Sequence, residues 1–154
     1  MKKISVIMPT YNRSEVLVEV LRGLDRQTFK NFEVIVVDDG STSKEINRQI
    51  INKKYGFPIR YFFQTNKGPA AARNMGLENL SNDSDLVFFL GDDMIPAEDL
   101  LRHHSNYHDL FPEKNKAVLG LTLWDDSVRD KFVDFLAPYG PQFNYSGLID
   151  KSEC

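Results

Sequence analysis

The stretch VIVVDDGST, residues 34–42, frames the whole chain. Its four consecutive β-branched residues, Val34 to Val37, suit a strand covered on both faces, as in a parallel sheet. The run ends in Asp38, Asp39 and Gly40, placing two carboxylates at the strand's carboxyl end, where open α/β sheets bind ligands. Residues 86–93, LVFFLGDD, repeat the design, with an apolar run closed by Asp92 and Asp93. Two strand ends built alike can bring their carboxylates to one crevice.

Working outward, Ile4 to Met8 form an apolar run that stops at Pro9. Pro9-Thr10-Tyr11-Asn12 is turn chemistry leading to a helix cap at Ser14. Leu17, Val20, Leu21 and Leu24 recur at helical spacing and predict a helix over about residues 15–27. After the framing strand, Thr42 and Glu45 read as a capping box for a helix carrying Ile46, Ile50 and Ile51, ended by Gly56 and Pro58. Ile59 to Phe63 predict a third strand, Gly68-Pro69 introduces a helix over AAARNMGLENL, and residues 86–90 predict the fourth strand. Beyond Pro96, Leu100, His104, Tyr107 and Phe111 trace one helix face, and residues 117–123 predict a fifth strand.

The expected fold class is therefore α/β: an open, mostly parallel sheet flanked by helices, with its core in residues 1–124. Residues 125–154 form an aromatic-rich tail. Val128, Phe132 and Phe135 suit a short helix there, while Pro138, Gly140, Pro141 and Gly147 break the remainder into loop. The tail's aromatics either pack on the sheet edge, cover a missing part, or support self-association.

At 154 residues the chain is one domain by length. A net charge of -3 gives no basic surplus for a phosphate backbone, so nucleic acid is not an expected partner. No run nears the roughly 20 apolar residues of a membrane span. The single cysteine, Cys154, cannot form an internal disulfide, and a cytoplasmic location is expected.

Taken as residues alone, the candidate groups leave alternatives open. Asp92 and Asp93 either seat a hard divalent cation, which prefers oxygen ligands, or form a turn before Pro96. Asp38 and Asp39 either hydrogen-bond a base or ribose or support a turn in which Gly40 takes positive φ. Arg73 is either a phosphate-binding cation or half of a surface salt bridge. His104 and His108 have chelating spacing, but His104 lies on the apolar face and reads as a packed core histidine. PTYNRS follows the first strand in place of a GxGxxG loop, and no GxxxxGK[ST] loop is present, which disfavours dinucleotide and P-loop sites.

In order and spacing, SVIMPTYNR, VIVVDDGST, GPAAARNMGL and FFLGDDMIP resemble the amino-terminal half of family 2 glycosyltransferases of the GT-A, Rossmann-like fold. The resemblance implies transfer of a sugar from a nucleotide-diphosphate donor to a glycan, lipid or other hydroxyl acceptor, with inversion and with Mg or Mn. It implies a nucleotide loop of Pro9, Thr10, Tyr11 and Asn12, with Tyr11 against the base. Asp39 would accept a hydrogen bond from the base and Asp38 would support the loop, while Gly68 and Arg73 would border the ribose and diphosphate. Asp92 and Asp93 match the DxD region, with Asp93 the direct metal ligand, Asp92 holding the ribose or a metal-bound water, and Gly91 replacing the first aspartate. The general base and the acceptor half are expected beyond Cys154, so this chain is expected to carry donor binding only. The alternatives are a non-catalytic nucleotide-sugar-binding or protein-interaction module and a nucleotidyltransferase.

Overall fold

The structure, a computed structural model, describes residues 2–42, 44–113 and 115–122, apart from the side chains of Lys44 and Ile46. The chain divides into two compact units, residues 1–116 and 117–154. In the first, strand and helix alternate: β1 (Ile4–Thr10), α1 (Ser14–Asp25), β2 (Phe32–Asp38), α2 (Lys44–Ile51), β3 (Ile59–Phe63), α3 (Pro69–Glu78), β4 (Leu86–Phe89) and α4 (Leu100–Leu110). The strands form one parallel sheet in the order β3-β2-β1-β4.

Every residue of β1 and β2 is buried, as the β-branched run predicts for strands covered on both faces. Side chains alternate between the faces. Val6, Met8, Val34 and Val36 join Leu17, Leu21 and Leu24 of α1, Ile50 and Ile51 of α2 and Leu101 of α4 in the larger core. Ile7, Ile35 and Val37 face the other way, against Ala72 and Met75 of α3.

The small residues of α3 therefore serve the sheet. A Cβ on Gly76 would stand 2.4 Å from Ile7 Cγ2, closer than atoms can approach. Gly76→Ala is expected to destabilise the fold by about 1–3 kcal/mol through overpacking, read as a lower urea midpoint at unchanged slope.

Several local expectations are corrected. β1 does not stop at Pro9; it runs on to Thr10, with Pro9 opposite Val37. Ile7 O accepts from Leu90 N and Thr10 O accepts from Asp39 N, so alternate residues of β1 face β4 and β2. Pro9 shares the side of Ile7, where pairing with β4 ends at Ile7–Phe89, and the missing N–H breaks no ladder bond. Ser14 is not the cap of α1: Arg13 occupies that position, and the Ser14 hydroxyl donates to Asn47 Oδ1. The Thr42 hydroxyl donates to Asn12 Oδ1, and Glu45 pairs with Arg48.

On α4 the buried stripe is Leu101, His104 and Ser105, whereas Tyr107 and Phe111 are exposed and lie against each other. Spacing of apolar letters places residues on a common face without saying which face meets the core. His104 is packed edge-on to Phe88, and burial, reinforced by His108 and His103, lowers its pKa. The core reading holds for it. Residues 117–122 are not in a strand. The predicted tail helix lies outside the described residues. Among the described residues, no helix is long and apolar enough to cross a membrane.

Candidate functional site

The strand order reverses direction between β1 and β4, the kind of position where open α/β sheets form a ligand crevice at their carboxyl ends. A crevice of about 410 Å³ opens there. It collects Pro9, Thr10 and Tyr11 from the end of β1, Asp39 from the end of β2, Gly68 and Arg73 from the start of α3, and Asp92 and Asp93 from the loop after β4. These are the residues singled out in the sequence, except Asn12 and Asp38. Arg13, Asn66, Pro69 and Gly91 also line it.

Asp38 and Asn12 hold the rim together. Asp38 is fully buried, and its carboxylate accepts from Ser41 N at 2.8 Å, Asn47 Nδ2 at 2.8 Å and the Tyr61 hydroxyl at 2.6 Å. Burial would raise its pKa, but the bonds from Tyr61, Ser41 and Asn47 outweigh it and hold the group below the ordinary range. Tyr61, half-buried and donating to that carboxylate, has its pKa pushed upward by desolvation and by that bond. Asn12 takes a positive φ of 53°; its N–H donates to Ser41 Oγ and its Oδ1 accepts from Thr42 N. The loops after β1 and β2 are thus tied to each other.

Asp39 is buried on its own strand end but reaches the crevice. Its Oδ1 accepts from Gln64 Nε2 at 2.7 Å and Lys67 N at 2.8 Å, and its Oδ2 accepts from Gly68 N at 2.8 Å. A carboxylate offers about four lone-pair sites, so one acceptor position, on Oδ2, is left for a ligand. The same bonds shape the loop before α3, where Gly68 has a φ of 90° that favours glycine.

Across the crevice, Asp92 is buried and Asp93 is half exposed. The Thr10 hydroxyl donates to Asp92 Oδ2 at 2.7 Å, joining the ends of β1 and β4. Arg13 Nη1 reaches both acids, at 3.2 Å to Asp92 Oδ1 and 2.7 Å to Asp93 Oδ2. Gly91 leaves room for this: a Cβ there would stand 2.8 Å from Asp93 Oδ1. Among the described residues no group of three or more His, Cys, Asp or Glu side chains gathers around a metal position. Two adjacent carboxylates nevertheless suit a Mg- or Mn-type ion that takes its other ligands from phosphate and water.

Two further groups complete the lining. The Arg73 side chain makes no ion pair or hydrogen bond with the described residues, so no surface salt bridge is formed among them and its charge is available to an anion. Tyr11 is 48% exposed and offers a ring face. Sequence reading missed Arg13, although it closes the quoted PTYNR motif, and missed Asn66, which carries only the signal of a turn.

The comparisons with known proteins agree with this architecture. The profile described as Glycosyl transferase family 2 matches residues 5–113. An uncharacterized glycosyltransferase of Rickettsia conorii is 38% identical over 127 residues, covering 75% of this chain and 21% of that protein. Among solved structures, S. aureus TarS in complex with UDP-GlcNAc is 29% identical with a TM-score of 0.61, over 77% of this chain and 37% of that one. The mannosyltransferase PcManGT from Pyrobaculum calidifontis, in complex with GDP-Man and Mn2+, is 26% identical with a TM-score of 0.63, over 69% of this chain and 32% of that one. The chain thus spans well under half the length of these proteins. A parallel sheet with acidic strand ends at its switch point and a family match across nearly all of the first unit lead to one conclusion: the chain belongs to glycosyl transferase family 2 and has the GT-A fold.

Proposed function

We propose that the crevice binds a nucleoside-diphosphate sugar and that this chain supplies the donor half of a metal-assisted, inverting transfer to an acceptor hydroxyl. The observation that carries this reading is the pairing of opposites within one crevice: Arg73, whose side chain has no partner among the described residues, and the carboxylates Asp92 and Asp93. A diphosphate accompanied by a divalent ion would meet both, Arg73 facing the phosphate oxygens and the carboxylates facing the ion. That solved relatives hold UDP-GlcNAc, or GDP-Man with Mn2+, supports it.

In this reading Tyr11 lies against the base and the remaining lone pair of Asp39 accepts from a base N–H. Gly68 and Arg73 border the ribose and diphosphate, Arg73 through the fork geometry that suits phosphate oxygens. Asp93 is the direct ligand of a Mg or Mn ion, and Asp92 holds the ribose or a metal-bound water. When bound, the ion offsets charge on the departing diphosphate. In this reading the described carboxylates of the crevice all serve the donor and its metal: Asp39 the base, Asp92 the ribose or a metal-bound water, and Asp93 the ion. The base that takes the acceptor's proton therefore belongs outside the described residues.

Calorimetric titration with UDP, GDP and dTDP, each with and without Mn2+, tests the reading. One nucleotide is expected to bind, with Arg73→Ala weakening it about tenfold or more and Asp93→Ala removing the Mn2+-dependent part. If a chain shown to be folded by circular dichroism binds none of the three, the donor-site reading fails and a protein-interaction module takes its place.

A further inference from the structure

The crevice holds two arginines in opposite conditions. Arg73 has no partner among the described residues, whereas Arg13 spans Asp92 and Asp93 from a single nitrogen. Arg13 is fixed at its base, since it caps the first turn of α1 and its carbonyl accepts from Leu17 N at 3.0 Å. Its guanidinium is half exposed, and thus movable, while Asp92 beneath it is buried and needs a positive neighbour.

Resting on the donor-site reading above, we propose that Arg13 is an internal cation that holds the carboxylate pair in the free protein and yields it when a diphosphate arrives with its metal. A divalent ion alone must displace Arg13 from both acids and leave a positive charge beside itself. Once a diphosphate is bound, the displaced guanidinium gains phosphate oxygens within the same crevice, and the opposing cost falls away. Metal affinity is thereby coupled to nucleotide occupancy, and by linkage nucleotide affinity is coupled to metal in equal measure. Arg13 acts here as a positioning residue for the acids. Arg73, already free, binds the diphosphate with no such competition.

The test is Mn2+ binding read by electron paramagnetic resonance of the free ion, a readout independent of transfer. Without nucleotide, Arg13→Gln is expected to bind Mn2+ about two- to fivefold more tightly than the wild type, the size expected for half-exposed ion pairs. Arg13→Lys, which keeps a charge, is expected to stay closer to the wild type. With the preferred nucleoside diphosphate at saturation, the advantage of Arg13→Gln is expected to vanish or reverse. Equal or weaker Mn2+ binding by Arg13→Gln without nucleotide overturns the proposal, as does an equal gain in the lysine variant, which would trace the effect to lost packing. An advantage that persists with nucleotide bound overturns the coupling. Failure of the donor-site reading is distinguishable, because the nucleotide would then not bind the wild type at all while the Mn2+ arm still reads Arg13.

Discussion

Asp38→Ala is expected to lose about 3–5 kcal/mol of folding stability, measured by urea denaturation at pH 7. The carboxylate is fully buried and accepts from Ser41 N, Asn47 Nδ2 and the Tyr61 hydroxyl. Each donor left without an acceptor costs about 1–3 kcal/mol, and the total is moderated because Asn47 Nδ2 retains a weak contact with Ser41 Oγ at 3.4 Å. The pH dependence follows from the same bonds. The folded-state pKa of Asp38 lies below its ordinary value because those hydrogen bonds outweigh burial. Its contribution is thus fully present above the unfolded value of about 3.9 and is lost as pH falls through the lower, folded value. The stability difference between wild type and Asp38→Ala should accordingly shrink on acidification below about pH 4. A loss under about 1 kcal/mol at pH 7 would contradict a scaffolding role for this residue.

Asp39→Asn is expected to weaken nucleotide binding about tenfold or more, although only one atom of the side chain changes. The native carboxylate receives three donors, Gln64 Nε2, Lys67 N and Gly68 N, on its two oxygens. An amide has one carbonyl oxygen and one NH2, so whichever way it turns, an N–H of the loop meets an N–H of the asparagine. The loop before α3 should loosen, carrying Gly68 and Arg73 out of register with the acids across the crevice. Hydrogen exchange at the amides of Lys67 and Gly68 reads this without any ligand, and protection as strong as in the wild type would remove the basis for the expectation. Because Asp38 and Asp39 are adjacent, the pair of variants separates folding from binding: the first should lower the denaturation midpoint most, the second the affinity.

What the residues alone determined is the part of the molecule governed by local physics. Four β-branched residues in a row have little alternative to a buried strand, and β2 is buried throughout. Period-3.6 spacing of Leu17, Val20, Leu21 and Leu24 gives the buried stripe of α1, and Gly68-Pro69 opens α3 with proline in its first turn. The alternation of these elements implies a parallel sheet, and their acidic ends imply a crevice at the carboxyl edge.

Tertiary structure decided what distant partners decide. Asp38 and Asp39 are neighbours in sequence, yet successive residues along an extended chain point to opposite faces, so one is locked beneath the rim and the other lines the crevice. Thr10 meets Asp92 across 82 positions and Arg13 meets Asp93 across 80, contacts that no local pattern encodes. The tolerance of β1 for Pro9 rests on where β4 stops pairing, and the face of α4 that turns inward rests on where the sheet lies. Local sequence fixes backbone preference because steric and hydrophobic periodicity act within a few residues. The division of labour among the charged groups arises only when folding brings strand ends together, because hydrogen bonds and ion pairs act over a few ångströms of space, whatever the separation along the chain.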